Sequence, residues 1–253
     1  MKALVTGASN GIGKDIAIYL SKLGYDIILV SRDENKLNEV AKIIETDSKV
    51  IPMDLSRKEN VFKLFDMVKD ENIDFLVNNA GFGLFGNTWE TDIDKELKML
   101  DLNIYAVHIL TKLFLEQMVK KDKGRILNVS SVAGFMSGPK LNTYYATKNY
   151  VTKWTLGIYE ELRHKKSKVH ISCLCPGPVE TNFNKVAGGS FVMKGLSSEY
   201  VAKYAVDKAL KNKLIIIPGF MVRMGLFFNK FLPYKTSLKI IYGVQDKKSK
   251  GDK

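Results

Sequence analysis

Three polar residues in the second half of the chain, Ser131, Tyr144 and Lys148, have the types and spacing for proton transfer. Tyr144 and Lys148 stand at i and i+4, which on a helix brings them to one face. A free tyrosine titrates near ~10, too high to exchange protons readily at neutral pH. An ammonium beside the phenol favours the phenolate and would lower that value by roughly 1–3 units. The pair therefore predicts an acid/base poised closer to working pH. Ser131, thirteen residues before Tyr144, adds a hydroxyl that can donate to an oxygen. Taken singly, each would most often be a surface polar residue.

A second constellation suits an anionic ligand. Thr6-Gly7-Ala8-Ser9-Asn10-Gly11-Ile12-Gly13 follows a short apolar run and opens a helical pattern. Glycines let a backbone turn tightly and approach a pyrophosphate, whose charge is favoured at a helix N-terminus. The spacing Gly-x-x-x-Gly-x-Gly differs from the Gly-x-Gly-x-x-Gly of larger dehydrogenases. About 20 residues on, an acidic residue would hydrogen-bond the ribose 2′-OH of NAD. Ser31 and Arg32 stand there instead. A hydroxyl followed by a guanidinium suits a 2′-phosphate, which a carboxylate would repel. The expected cofactor is NADP(H).

These residues need a scaffold, and apolar runs alternate with helical patterns from the start of the chain. Strands are predicted at residues 3–5, 26–31, 49–53, 74–77, 125–130, 170–175 and 214–217. Helices are predicted at 11–23, 34–45, 94–120 and 142–164, and Ser56-Arg57-Lys58-Glu59 has the spacing of a capping box opening another. Such alternation predicts an α/β fold: a doubly wound parallel sheet (Rossmann fold) of about seven strands, helices on both faces, in a single domain over 1–253. Ligands bind such sheets beyond the carboxyl ends of the strands, and the chemically informative residues all follow strands.

Together these segments resemble the short-chain dehydrogenase/reductase family, in its NADP-preferring branch. The glycine turn matches Thr-Gly-x-x-x-Gly-x-Gly residue for residue, although many NADP-preferring relatives carry a basic residue where this chain has Asn10. The resemblance places Gly7, Ser9, Asn10, Gly11, Ile12, Gly13, Ser31 and Arg32 on the cofactor. Asp54-Leu55 corresponds to the pair that contacts the adenine ring. Asn78-Asn79-Ala80-Gly81 matches the segment that steadies the sheet and lines the cofactor, through Asn79, Ala80 and Gly81. Pro176-Gly177-Pro178-Val179-Glu180-Thr181 matches a turn in which Pro176, Gly177, Val179 and Thr181 meet the nicotinamide half. The family spacing selects Tyr144 over Tyr145. It implies that Ser131 binds a substrate carbonyl, that Tyr144 protonates it as hydride arrives, and that Lys148 lowers the tyrosine pKa and holds ribose hydroxyls. Asn103 matches a helix asparagine that anchors a proton-relay water. The implied activity is hydride transfer between NADP(H) and a carbonyl or secondary alcohol. The alternative is a catalytically silent NADP(H)-binding sensor, which would be expected to have lost the tyrosine or lysine.

Residues 182–196 are expected to form a substrate lid, with Gly188, Gly189 and Gly195 as flexible points. Phe183, Val186, Phe191, Val192, Met193 and Leu196 would make it apolar, with Phe82, Leu84 and Phe85 on the opposite wall, so a lipophilic substrate is expected: a ketone, a 3-oxoacyl chain or a steroid-like ring. Family resemblance further implies a homodimer or homotetramer, with the helices at 94–120 and 147–164 pairing across a two-fold axis.

The net charge of +12 and pI of 9.4 raise nucleic-acid binding, but the lysines are spread over many helix surfaces and no nucleic acid is expected. Cys173 and Cys175, two apart on a predicted strand, read as small buried fillers. His108, His164 and His170 have no metal-ligand spacing. The first residues already form a strand, so a cytoplasmic, metal-free protein is expected. From Phe220 onward large apolar residues alternate with Arg223, Lys230, Lys235 and Lys239. A terminal helix packed on the core and bordering the pocket is favoured there over a membrane-surface element.

Overall fold

The computed structural model describes residues 1–181, 183, 187, 188 and 195–249, with side chains to residue 246. Seven parallel strands form the central sheet: β1 (Lys2–Thr6), β2 (Asp26–Ser31), β3 (Ser48–Pro52), β4 (Phe75–Asn78), β5 (Gly124–Val129), β6 (Val169–Leu174) and β9 (Ile215–Ile216). Their order is β3-β2-β1-β4-β5-β6-β9. A separate parallel pair joins β7 (Val179–Glu180) to β8 (Leu196–Ser197), with Val179 opposite Leu196.

The two-residue period of the strands dictates both helical layers. Ala3, Val5, Ile27 and Leu29 face one core, which they share with Ile16 and Leu20 of α1 (Gly11–Lys22) and Val201 and Ala205 of α7 (Ser198–Leu210). Leu4, Ile28 and Val30 face the other, with Leu64 of α3 (Lys58–Val68), Phe114 of α5 (Val107–Lys121) and Ile158 of α6 (Asn142–His164). Strands apolar on both sides can only be buried on both sides. The short α2 (Glu34–Ala41) follows β2. The strand order reverses between β1 and β4, so a crevice opens where their carboxyl ends diverge.

All seven predicted strands are present, within about a residue at each end, and the helix at 142–164 is as read. Other expectations change: the helix expected at 34–45 ends at Ala41. The pattern at 94–120 is α4 (Ile93–Leu100), a π-helical turn (Asp101–Ala106) and then α5. The capping box does not form: the Asp54 carboxylate accepts from both the Ser56 backbone N–H (3.0 Å) and its hydroxyl (2.8 Å). With Ser56 held in that turn, Arg57 becomes the N-cap and contributes no side-chain bond. The sequence reading also passed over α7, whose buried stripe is mostly alanine and valine.

The chain from 220 onward forms α8 (Phe220–Asn229) and α9 (Tyr234–Ser249). Helix α9 docks through Ser237, Ile241 and Gln245, one stripe at i, i+4 and i+8. No residue of α8 is buried.

Candidate active site

At the carboxyl end of β1 the chain turns through Gly7 (φ 66°) and Gly11 (φ 54°), both left-handed. A Cβ at Gly7 would lie 2.7 Å from Asn79 Nδ2, and one at Gly13 would lie 2.3 Å from the same atom and 2.4 Å from the Gly7 carbonyl oxygen. Glycine is therefore required by close approach as well as by φ. Asn79 Nδ2 donates to the carbonyls of Thr6 (3.0 Å) and Gly7 (3.2 Å). Thr6 Oγ1 accepts from the backbone N–H of Asn79 (3.0 Å) and Ala80 (3.1 Å). The glycine turn and the Asn-Asn-Ala-Gly segment are thus stapled into one rigid floor. Asn78 serves the sheet instead, donating to Thr111 Oγ1 and Asn128 Oδ1, each at 2.9 Å.

Helix α1 starts at this floor with no side-chain cap at Asn10 and no acid in its first turn. Its first N–H groups are left for an anion. Ser9 Oγ lies 2.9 Å from Ser31 Oγ, which ties the turn to the end of β2. Arg32 is exposed beside it. The acid next in sequence, Asp33, caps α2 by accepting from the Lys36 N–H at 3.1 Å and pairs with the Lys36 ammonium. It is committed away from the crevice. An uncapped helix N-terminus and a glycine cradle together fit the pyrophosphate of a dinucleotide.

One cavity joins this floor to the tyrosine and lysine. Of the residues singled out for the cofactor, all but Gly13 line it, from Ser31, Arg32, Asp54 and Leu55 at one end to Ser131, Tyr144, Lys148 and Thr181 at the other. Gly13 is a packing glycine beneath the wall. Tyr144 and Lys148 are both buried, one turn apart on α6. Lys148 Nζ donates to the Val129 carbonyl at 2.9 Å and lies 5.8 Å from the Tyr144 ring centroid. Ser131 caps the short 3₁₀ turn Val132–Phe135, its hydroxyl accepting from the Ala133 N–H at 3.1 Å.

The π-helical turn gives Asn103 its place. It is fully buried, exchanges hydrogen bonds with the Phe82 backbone N–H (3.1 Å) and carbonyl (2.9 Å), and donates to Thr147 Oγ1 at 3.1 Å. A Cβ at Gly81 would stand 2.9 Å from Asn103 Oδ1 and 3.5 Å from Lys148 Nζ. Asn103 thereby locks the loop after β4 against α6, next to the lysine. Wide turns of this kind recur at functional sites.

The titration behaviour corrects the sequence reading. Burial pushes the Tyr144 phenol above its ordinary value, with the neighbouring Ser131 hydroxyl opposing. Burial is the largest influence on the phenol, and the Lys148 ammonium, itself desolvated, donates to the Val129 carbonyl. Burial lowers Lys148 to about 8. In this state Tyr144 holds its proton firmly, and Lys148 is the group that titrates near neutrality.

The far end of the cavity is apolar. Tyr144 and Tyr145 cluster with Met99, Ala133 and Leu141, and Phe82, Leu84, Phe85, Met136 and Phe183 pack against them. The Phe183 ring lies 5.2 Å from that of Tyr144, and the Phe85 N–H donates to the Ala187 carbonyl at 2.9 Å, joining the two expected walls. Gly188 is exposed at φ 77°. Gly195 and Leu196 do not belong to a flexible lid: Leu196 is paired in β8, and a Cβ at Gly195 would meet the Val179–Glu180 backbone at 2.9 Å. Val186, Gly189, Phe191, Val192 and Met193 lie outside the described residues. Sequence reasoning also missed Gln245, which donates to Tyr145 Oη at 2.7 Å from the far end of α9; nothing in the sequence marks that contact.

Residues 1–188 match the short chain dehydrogenase family. The chain is 36% identical over 185 residues to an uncharacterized oxidoreductase of Staphylococcus saprophyticus, covering 71% of this chain and 78% of that protein. It is 35% identical over 198 residues to a very-long-chain 3-oxoacyl-CoA reductase of Anas platyrhynchos, covering 75% and 63%. Among solved structures, a short-chain dehydrogenase from Sphingobium yanoikuyae in complex with NADPH superposes with a TM-score of 0.82 at 23% identity, covering 90% of this chain and 92% of that one. A short-chain dehydrogenase/reductase from Burkholderia phymatum in complex with NAD gives 0.83 at 22%, with the same coverage. Among the described residues no helix is long and apolar enough to cross a membrane. With its seven-stranded Rossmann sheet and the matching motifs at the strand ends, this chain belongs to the short-chain dehydrogenase/reductase family of oxidoreductases.

Proposed function

We propose that the protein is an NADPH-dependent reductase of lipophilic carbonyl compounds, with Tyr144 as general acid. The observation that carries this reading is that Ser131, Tyr144 and Lys148 share one cavity with the uncapped N-terminus of α1 and with Ser31 and Arg32. NADPH, when bound, supplies a hydride from its nicotinamide. The glycine floor holds the pyrophosphate on backbone N–H groups, and Ser31 and Arg32 take the 2′-phosphate. Asp54 and Leu55 flank the adenine, while Val179 and Thr181 meet the nicotinamide half.

Ser131 donates a hydrogen bond to the substrate carbonyl oxygen, and Tyr144 delivers its proton to that oxygen. A phenol whose pKa is raised by burial is protonated throughout the neutral range, which suits reduction better than oxidation. Lys148, near its own titration point, orients the ribose hydroxyls and resupplies the proton. Asn103 positions the wall between them. The apolar cluster around Phe82, Leu84, Phe85, Met136 and Phe183 favours a ketone, 3-oxoacyl or steroid-like substrate, a class that includes what the Anas relative is named for. The paired faces of α5 and α6, where His108 stacks on Trp154 at 4.3 Å, suit a homodimer or homotetramer.

The test is NADPH and NADH oxidation against ketones of graded size and polarity, with Tyr144→Phe and Arg32→Asp alongside. Turnover should favour NADPH and larger apolar ketones and fall roughly 10²–10⁴-fold in Tyr144→Phe. Arg32→Asp should erase the preference for NADPH. Equal turnover in Tyr144→Phe would sink the acid assignment, and better turnover of small polar carbonyls the substrate class.

A further inference from the structure

Helices α8 and α9 are held to the body of the protein along one side. Val222 covers Gly177, whose added Cβ would stand 2.9 Å from Val222 Cγ2, and α8 rests on the 3₁₀ turn Val132–Phe135 behind Ser131. Gln245 bonds Tyr145, and Lys140 pairs with Asp246 at 2.5 Å. The other side is large, apolar and open. Met221 is 80% exposed and Phe231 73%, and Phe220, Phe227, Phe228 and Ile240 are more than half exposed. Scattered exposed apolar residues are ordinary, but a contiguous patch marks a docking site. Here Phe227 packs edge-on to Phe228 (5.6 Å) and Phe231 (5.2 Å), so the rings form one cluster.

The charge around this patch selects its occupant. From residue 218 to residue 245 there is no aspartate or glutamate, while Arg223, Lys230, Lys235 and Lys239 all fall there; each of the four is exposed. A second copy pairing through this face across a two-fold axis would bring the four cations of each copy toward those of the other, with no acid between residues 218 and 245 to offset them, which opposes association. An anionic bilayer meets both features at once. Aromatic and aliphatic side chains enter the boundary between headgroups and acyl chains, and lysine and arginine stems lie along the apolar surface with their charges on the phosphates. We propose that the outer face of α8 and α9 docks this enzyme on the surface of an anionic lipid bilayer, with the rim of the active-site cavity at Gly177 held close to the lipid. This proposal does not depend on the substrate reading above.

Co-sedimentation of the full chain with phosphatidylcholine vesicles, with and without phosphatidylserine, tests it. Binding should require phosphatidylserine and weaken as salt is added. Phe228→Ser with Phe231→Ser, and separately Lys230→Glu with Lys235→Glu, should each weaken vesicle binding about 10-fold or more. All four side chains are exposed, so NADPH binding and the thermal transition serve as controls that the fold is intact. The proposal is overturned if the protein stays in the supernatant with phosphatidylserine vesicles, or if the phenylalanine pair changes nothing. It is equally overturned if that pair instead splits an oligomer seen by light scattering without affecting vesicle binding, which would make this face a self-interface.

Discussion

A methyl group added to Gly13 would meet Asn79 Nδ2 at 2.3 Å, whereas one added to Gly225 in α8 would meet nothing within 4 Å. The two glycines sit in helices of similar length, yet their surroundings differ entirely. Around Gly13 the ends of β1 and β4, a helix N-terminus and the Asn79 side chain converge on a space sized for backbone alone. Around Gly225 one side of the helix touches the protein and the other faces outward. The strand-end cradle therefore constrains each residue through many partners, and the tail constrains only the stripe that docks.

The largest stability effect should come from Gly13→Ala. The clash is with a backbone oxygen and a side chain already fixed by two hydrogen bonds, so neither can yield cheaply. Overpacking of this kind costs about 3 kcal/mol, which for a chain of this size lowers the thermal midpoint by roughly 6–12 °C. A variant that melts with the wild type would show that the floor is softer than its packing implies.

Lys148→Met should act in the opposite direction, and it separates stability from chemistry within the cradle. Burial brings Lys148 from its ordinary 10.5 down to about 8. Between those values the unfolded chain holds a proton that the folded chain releases, so stability rises with pH through that window. Below about 8 both states are protonated, and the whole cost of burying the ammonium is borne by the fold. Methionine removes that cost but leaves the Val129 carbonyl without its donor. We expect a gain of roughly 1–2 kcal/mol at pH 7, shrinking toward pH 10, together with near-complete loss of reductase activity. Calorimetry at the two pH values checks the sign. In the wild type, kcat/KM for carbonyl reduction should decline as pH rises through about 8, where Lys148 loses its charge.

Much of the cradle was legible because its constraints are local. Gly7, Gly11 and Gly13 stand between a β-branched run and a helical pattern, and each motif follows a strand. The turn at Asp101–Ala106 was not legible, since the apolar pattern over 94–120 reads the same with or without a widened turn; the one clue is Asn103, a polar residue on a buried face. Helix α7 escaped because Ala202, Ala205 and Ala209 carry little hydrophobic contrast, although Ser197 caps it by accepting from the Tyr200 N–H. The direction of the Tyr144 pKa was out of reach for a different reason. Spacing brings a lysine near a phenol, but the shift is set by burial, in a cluster to which Met99 and Ala133 come from other segments. The docking stripe of α9 likewise depends on Tyr145, a hundred residues away.

The smallest expected effect is the most informative about the tail. Gly225 lies inside α8 with ordinary helical backbone and open space at its Cβ, so alanine there adds no clash and removes backbone freedom from the unfolded chain. If α8 melts together with the sheet, Gly225→Ala should stabilise the whole protein by about 0.5–1 kcal/mol, a rise of roughly 1–4 °C. If α8 opens on its own before the sheet, the midpoint will not move, because the gain belongs to a unit that is already unfolded at the global transition. Hydrogen exchange at the α8 amides then decides between them: slower exchange in Gly225→Ala with an unchanged midpoint identifies a separate opening unit. A raised midpoint instead ties α8, through Val222 and Gly177, to the same cooperative fold as the cradle.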